Sequence, residues 1–311
     1  MGINSKDLIS LSDLSIQEIH EIFTNAKSMK EIINREIKKV PTLRGKAIIN
    51  LFYENSTRTR SSFELAGKYM GADVINISAS SSSVAKGESL RDTAKTIESM
   101  GADVVVMRHP ASGAHHILAQ AVKARVINAG DGTHEHPTQA LLDIFTILEH
   151  KGTIRGKKVA IIGDILHSRV ARSNIWGLNA LGADVWICGP PTLMPSQVDK
   201  LGVNVTWDIQ KALKDADVVM MLRIQLERQK SGLFPSIREY SKLFGLNKNK
   251  LKLAKEDALV MHPGPMNRGV EITADVAESY QSVIEEQVTN GVAIRMALLY
   301  AMGGGKINAS A

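Results

Sequence analysis

The sequence predicts an α/β protein of two domains, each a parallel β-sheet flanked by helices, with long helices linking the two. Three observations carry this expectation. Short apolar runs of strand length alternate with helical patterns through most of the 311 residues. The runs are short, mostly apolar and separated by helices, as in parallel strands covered on both faces. Nine such runs also suit two sheets better than a single one over this length.

In chain order, a helical pattern over 15–39 leads to KAIINLFY (46–53), an apolar run that reads as a buried strand. Ser56 and Thr57 are then good N-caps for a helix over 58–70. DVINIS (73–78) is the second strand, followed by a helix over 88–100 and the strand ADVVVMR (102–108). A helix over 112–123, the strand RVIN (125–128) and a long helix over 136–150 complete the first half. Lys151-Gly152-Thr153 breaks that last helix and places the domain seam within 136–158. No Pro/Ser linker is visible there, so the helix is expected to join the domains rigidly. The second half offers strands KKVAIIG (157–163), ADVWIC (183–188), VNVTW (203–207), DVVMML (217–222) and DALVMH (257–262). Helical patterns cover 168–181, 208–215 and 276–302, and the glycines at 303–305 mark a frayed tail. The Lys-rich stretches 27–46 and 242–255 are interleaved with apolar residues or Glu and read as solvated helix faces and loops.

Composition excludes several function classes. Hydrophobic residues are 44% and charged residues 23%, ordinary for a soluble globular protein. No apolar run approaches the roughly 18 residues of a membrane helix, and MGINSKDLIS lacks the apolar stretch of a signal peptide. A cytoplasmic location and no membrane partner are therefore expected. The single cysteine, Cys188, excludes an internal disulfide and a thiolate-cluster metal site. The net charge of +6 suits nucleic acid or small anionic substrates. With 5% aromatics and no aromatic–basic interleaving, a stacking platform for bases is not expected.

Ligands of open parallel sheets sit beyond the carboxyl ends of the strands. The loops there read ENSTRTR (54–60), SASSSSVAKGE (78–88), RHPASG (108–113), NAGDGTHEHPTQ (128–139), GDILHSRVARS (163–173), LRIQLERQ (222–229) and HPGPMNRG (262–269). They are rich in donors and lack acidic residues at metal-ligand spacing, the profile of an anion site. Arg58 falls in the first turn of a helix, where the dipole favours anions, and so invites a bound anion there. A solvated arginine pair cancelled by Glu54 and Glu64 is the plainer alternative. Lys86 and Arg169 repeat the same oddity at later helix starts. Arg108 ends an apolar strand, and His136 and Gln139 share a helix face, with His134 the weaker candidate. The glycine-rich run before His136 suits a backbone that comes close to a ligand. Arg223 and Gln225 follow VVMML as an alternating pair. The turn at His262-Pro263-Gly264-Pro265 can present carbonyls freely but few N–H groups. No nucleophilic serine motif, Cys–His pair, Walker loop or H-E-x-x-H is present. The chemistry is therefore expected to rest on positioning and electrostatics, without metal or cofactor.

STRTR (56–60), the Lys-Gly-Glu of 86–88, HPTQ (136–139) and HPGP (262–265) together resemble the aspartate/ornithine carbamoyltransferases, in order and spacing over essentially the whole chain. His262-Pro263-Gly264-Pro265 stands where the ornithine branch carries His-Cys-Leu-Pro, and Lys86 suits a dicarboxylate, so the resemblance is to the aspartate branch. A carbamoyltransferase with another amine acceptor, such as ornithine, is the alternative. The resemblance implies a carbamoyl phosphate domain over 1–137, completed by the C-terminal helix 293–311, and an aspartate domain over 138–292. It implies that Ser56, Thr57, Arg58 and Thr59 hold the phosphate and that Arg108 bridges phosphate and carbonyl oxygen. His136 and Thr59 would donate to that oxygen, Gln139 would touch the carbamoyl group, and carbonyls near Gly264 and Pro265 would accept from its NH2. Arg169, Arg223 and Gln225 would clamp the carboxylates of aspartate. Ser82 and Lys86 would enter from a neighbouring chain of a homotrimer, with Lys86 also serving aspartate. Regulatory chains or another pyrimidine enzyme could enlarge that assembly.

Overall fold

The computed structural model describes residues 4–78, 88–225 and 236–304. The first half runs α1 (Ile16–Ile33), β1 (Ala47–Phe52), α2 (Thr57–Tyr69), β2 (Asp73–Ser78), α3 (Leu90–Ser99), β3 (Val104–His109), α4 (Ala114–Ala121), β4 (Arg125–Asp131) and α5 (Pro137–Lys151). The second runs β5 (Lys158–Ile162), α6 (Arg169–Ala180), β6 (Asp184–Cys188), β7 (Asn204–Thr206), α7 (Ile209–Leu213) and β8 (Val218–Met221). It ends with α8 (Ile237–Phe244), α9 (Lys248–Leu251), β9 (Leu259–Met261), α10 (Ala274–Ala277) and α11 (Ile284–Met302).

The strands form a four-stranded sheet of order β2-β1-β3-β4 and a five-stranded sheet of order β7-β6-β5-β8-β9. Every pairing is parallel, so the fold class read from the sequence is borne out. Two compact units result, Met1–Leu142 with Val288–Ala311, and Asp143–Gln287. In the first, Ile49, Leu51, Val105, Met107 and Val126 pack against Ala94, Ile97 and Leu118 of α3 and α4. In the second, Ala160, Ile162, Val219, Met221 and Val260 pack with Ile209, Leu213, Tyr240 and Phe244.

Four strands are entered by one local device. Gly71, Gly101 and Gly182 take left-handed φ values of 79°, 75° and 80°, and each is followed by Ala-Asp-Val into a strand. Left-handed backbone ends a helix at little cost only for glycine or a short polar residue. Asp215, at φ 56°, does the same work before Ala216-Asp217-Val218. In each sheet one of these aspartates then pins a central strand. Asp103 Oδ2 accepts from the Ala47 N–H at 2.9 Å, and Asp217 Oδ2 from the Lys158 N–H at 2.9 Å.

Two helical expectations need correction. The first helix ends at Ile33, not 39, because its buried stripe stops at Ile32 while Ile37 is exposed, so further turns would bury nothing. The last long helix starts at Ile284, and only the short α10 lies in 274–277. The Lys-rich 242–255 stretch holds the end of α8 and all of α9, with Phe244 and Leu251 buried and the lysines outward or half-buried.

Candidate active site

The strand orders select two places. In the first sheet the chain proceeds from β1 outward to β2 and from β3 outward to β4, so the order reverses between β1 and β3. In the second sheet it reverses between β5 and β8. Crevices at such reversals, beyond the carboxyl ends of the strands, are where open parallel sheets bind ligands. The loops bordering the first reversal carry Ser56, Thr57, Arg58, Thr59 and Arg108. Those bordering the second carry Arg169, Arg223 and Gln225.

In the first unit, Phe52 of β1 is in register with Arg108 of β3, which sets the end of β3 beside the entrance to α2. The Tyr53 N–H donates to the Arg108 carbonyl at 2.9 Å. Ser56 caps α2 by position only, since its side chain makes no capping hydrogen bond, and the first turn holds no acidic residue. Arg58 is exposed there and Thr59 is buried. Glu54 accepts from Arg108 Nε at 3.0 Å and Glu64 from Lys68 Nζ at 2.6 Å; the Lys68 bond and, more weakly, the charge of Arg60 hold the Glu64 carboxyl below its ordinary range. The first turn of α2 thus presents backbone N–H groups and Arg58, with no acidic residue inside the turn.

The third strand end brings in His136 and Gln139, both largely buried at the start of α5. The Gln139 N–H donates to the His136 carbonyl at 3.0 Å. Thr138 Oγ1 lies 3.4 Å from His136 Nδ1. Asp131, fully buried at the end of β4, holds the loop by accepting from Gly113 N, Glu135 N and Asn128 Nδ2 at 2.9–3.0 Å. Burial works against its charge, but the Gly113 amide, Asn128 and His115 outweigh it and hold the carboxyl below the ordinary range. Glu135 bonds Ser10 Oγ and the Leu11 amide. Gly132 has a reason other than the expected approach of a ligand. A Cβ on it would stand 2.3 Å from Ser112 Oγ and 3.0 Å from the Pro110 carbonyl, so it is small because the β3–α4 turn packs on it.

In the second unit, Arg169 is the first residue of α6 and only 3% exposed, behind a Ser168 cap that accepts from Ala171 N at 3.1 Å. Arg223 and Gln225 leave β8 on a segment held at two consecutive amides. The Ile224 N–H donates to Glu271 Oε1 at 3.0 Å, and the Gln225 N–H to Asp164 Oδ2 at 3.4 Å. Asp164 also accepts from the His167 amide at 3.1 Å, tying the α6 entrance to the same carboxylate. Glu271 takes two further bonds from Asn267, at 2.8 and 2.6 Å, yet burial still pushes its carboxyl above the ordinary range. In the 262–265 turn, Pro263 and Pro265 have no N–H, and the Gly264 N–H is spent on His262 Nδ1 at 2.8 Å. The turn therefore offers carbonyls and no donors of its own beyond His262. Cys188 ends β6 buried, its thiol pushed up to about 12 by burial, and is no nucleophile near neutral pH.

Of the residues singled out in the sequence, Ser56 to Thr59, Arg108, His136 and Gln139 fall on strand-end loops of the first unit. Arg169, Arg223, Gln225, Gly264 and Pro265 fall on those of the second. Ser82 and Lys86 lie outside the described residues. The sequence reading weighed Glu54 but missed three other carboxylates: Asp131, Asp164 and Glu271 sit on or beside the loops that looked purely donor-rich. The signal was the donor excess itself, since buried N–H groups need acceptors.

The aspartate/ornithine carbamoyltransferase carbamoyl-P binding domain matches residues 6–149, and the Asp/Orn binding domain of the same family matches 155–302. An aspartate carbamoyltransferase catalytic subunit from Ruminiclostridium cellulolyticum is 66% identical over 302 residues, covering 97% of this chain and 96% of its own. The subunit of that name from Acetivibrio thermocellus is also 66% identical, covering 97% of each. Among solved structures, aspartate transcarbamoylase from Trypanosoma cruzi in complex with N-(phosphonacetyl)-L-aspartic acid superposes with a TM-score of 0.87 at 31% identity, covering 96% of both chains. Ornithine carbamoyltransferase from Pyrococcus furiosus gives 0.86 at 33% identity, covering 98% of this chain and 99% of its own.

Proposed function

The chain belongs to the aspartate/ornithine carbamoyltransferase family, and from that membership we propose that it transfers the carbamoyl group of carbamoyl phosphate to the amine of L-aspartate. The products are N-carbamoyl-L-aspartate and phosphate, a step of pyrimidine biosynthesis. The observation that carries the reading is the uncapped first turn of α2, with Arg58 in it and no acidic residue, beside the strand that ends in Arg108. Phosphate is the anion such a turn accepts, through backbone N–H groups and forked guanidinium donors.

Ser56, Thr57, Arg58 and Thr59 hold the phosphate, each charge-assisted bond contributing about 1.5–3 kcal/mol. Arg108 bridges phosphate and carbonyl oxygen, and its Glu54 partner orients the guanidinium. The aspartate nitrogen attacks the carbonyl carbon, forming the C–N bond, and the negative charge that develops on oxygen is met by Arg108, Thr59 and His136. His136 donates there through a ring N–H. Gln139 and the carbonyls of Gly264 and Pro265 hold the NH2 group. The bond from carbon to the phosphate oxygen then breaks, and the departing phosphate takes the amine proton. Arg169, Arg223 and Gln225 bind the aspartate carboxylates, on backbone set by Asp164 and Glu271. No helix among the described residues is long and apolar enough to cross a membrane. The family reading further supports a homotrimer in which Ser82 and Lys86 serve the neighbouring chain's site, open to regulatory chains.

The direct test is a carbamoyl-transfer assay with aspartate and with ornithine in parallel. Turnover with aspartate and none with ornithine is expected, and the reverse would move the chain to the other branch.

A further inference from the structure

We propose that Gln287 is a positioning residue for the carbonyl-presenting turn 262–265, and that the buried carboxylate of Asp143 dictates which way its amide points. The proposal rests on the reading above, in which that turn accepts from the carbamoyl NH2. Gln287 Nε2 donates to Asp143 Oδ1 at 2.7 Å, while its Oε1 accepts from the His262 N–H at 3.0 Å. Solvent hardly reaches the group: Asp143 is 0%, His262 2% and Gln287 3% exposed. The second oxygen of Asp143 accepts from Asn174 Nδ2 at 2.8 Å, and Asn174 is itself fully buried.

A carboxylate only accepts, so the Gln287 atom facing Asp143 must be nitrogen. A backbone N–H only donates, so the atom facing His262 must be oxygen. The flipped amide would set oxygen against carboxylate and nitrogen against N–H, losing both bonds in a place solvent hardly reaches. A side chain with a donor on one side and an acceptor on the other is what the gap requires, and the charge at 143 chooses its orientation. The linkage continues through the ring of His262, whose Nδ1 accepts from the Gly264 N–H at 2.8 Å. Asp143, Gln287, His262 and Gly264 thus form one run of hydrogen bonds from α5 through α11 to the turn. A plain tether between helices would use the same first bond, so the test must read the turn itself.

The test uses the full-length chain with Gln287→Leu, Asp143→Asn, and the double variant Asp143→Asn with Gln287→Glu. Calorimetric dissociation constants are measured for carbamoyl phosphate and for inorganic phosphate, which lacks the NH2 group. Gln287→Leu should weaken carbamoyl phosphate by on the order of tenfold, as loss of a buried hydrogen-bonded support does, and leave phosphate within about twofold. Asp143→Asn places an NH2 against one of two donors and should show the same selective loss. In the double variant the new amide at 143 accepts from Asn174 and donates to the new carboxylate at 287, whose other oxygen accepts from His262. The bond between 143 and 287 is restored with donor and acceptor exchanged, those from Asn174 and His262 are kept, and the selectivity for carbamoyl phosphate should return. Equal weakening of both ligands, or no weakening in a folded Gln287→Leu protein, overturns the proposal. If that variant does not fold, a double variant no more selective than Asp143→Asn alone overturns it. A wild-type chain that binds carbamoyl phosphate yet leaves aspartate unmodified counts against the assigned reaction and not against Gln287, because the binding comparison needs no acceptor.

Discussion

Replacing Arg58 with alanine should remove most of the activity while leaving the fold as stable as before or slightly more so. Arg58 is exposed in the first turn of α2, where the Ser56 side chain makes no cap bond and the turn itself holds no acidic residue. A cation at that end of a helix is disfavoured by about 0.3–1 kcal/mol, and the substitution removes this conflict. Alanine also exceeds arginine in helix propensity by at most a few tenths of a kcal/mol. The unfolding free energy should therefore stay level or rise by up to about 1 kcal/mol. Loss of one charged donor from the transition state costs about 10²–10³ in turnover, roughly 2.7–4 kcal/mol. The two effects differ in sign and several-fold in size. Steady-state formation of N-carbamoyl aspartate and urea denaturation followed by circular dichroism, on the same preparations, measure both. Arg60→Ala, in the same helical turn and without an assigned ligand, is the control and should keep most of its turnover. Wild-type kcat/KM in the Arg58 variant would refute the phosphate reading. So would an activity loss matched by an equal loss of stability.

Arg223→Ala should raise KM for aspartate while the affinity for carbamoyl phosphate stays nearly constant, because Arg223 leaves the end of β8 and the phosphate motifs leave β1 and β3. Equal weakening of both substrates would show the partition to be wrong. Mixed reassembly of two inactive variants, Arg58→Ala and Lys86→Ala, should restore activity if sites are shared between chains. Persistent inactivity with mixed oligomers demonstrated would refute the sharing. Burial pushes the Asp217 carboxyl up, but the Lys255 bond and the Lys158 amide outweigh it and leave the group below its ordinary 3.8. Its stabilisation is thus fully present above 3.8 and lost as pH falls through the lower folded value. Asp217→Asn should cost about 1–3 kcal/mol at neutral pH, and the gap in urea denaturation should close on acidification; a gap that widens instead would contradict the assignment. Gly101→Ala meets no atom within 4 Å at φ +75°, so any loss is backbone strain alone. About 1 kcal/mol is expected in thermal unfolding, and an unchanged midpoint would speak against the left-handed turn.

Much of this was legible in the residues. The nine strands were visible because each central strand is apolar on both faces and bounded by glycine or a cap, as in Gly101-Ala102-Asp103-Val104. Arg58 and Arg169 stood out because a cation at a helix start contradicts the local preference, and Arg108 because it ends an apolar strand. The short α8, α9 and α10 did not stand out. Eight or four residues give too few turns for a period to show, and tertiary contacts through Tyr240 and Phe244, Leu251 and Val276 hold them.

The sequence by itself determined the alternation of strand and helix, hence parallel sheets, hence the set of loops that could carry a site. It ranked those loops by their donors and stopped there. The strand orders β2-β1-β3-β4 and β7-β6-β5-β8-β9 decided which loops become neighbours, Arg108 beside the start of α2, and Arg223 and Gln225 beside the start of α6. The same packing turned Asp143, Asp164 and Glu271 from unremarked acids into acceptors that hold Gln287, Ile224 and Gln225 in place. Strand order and buried acceptor pairs join residues tens of positions apart or more, such as Asp143 and Gln287. Local periodicity and capping chemistry reach only a few residues along the chain, so these pairings arise only when the apolar faces close on one another.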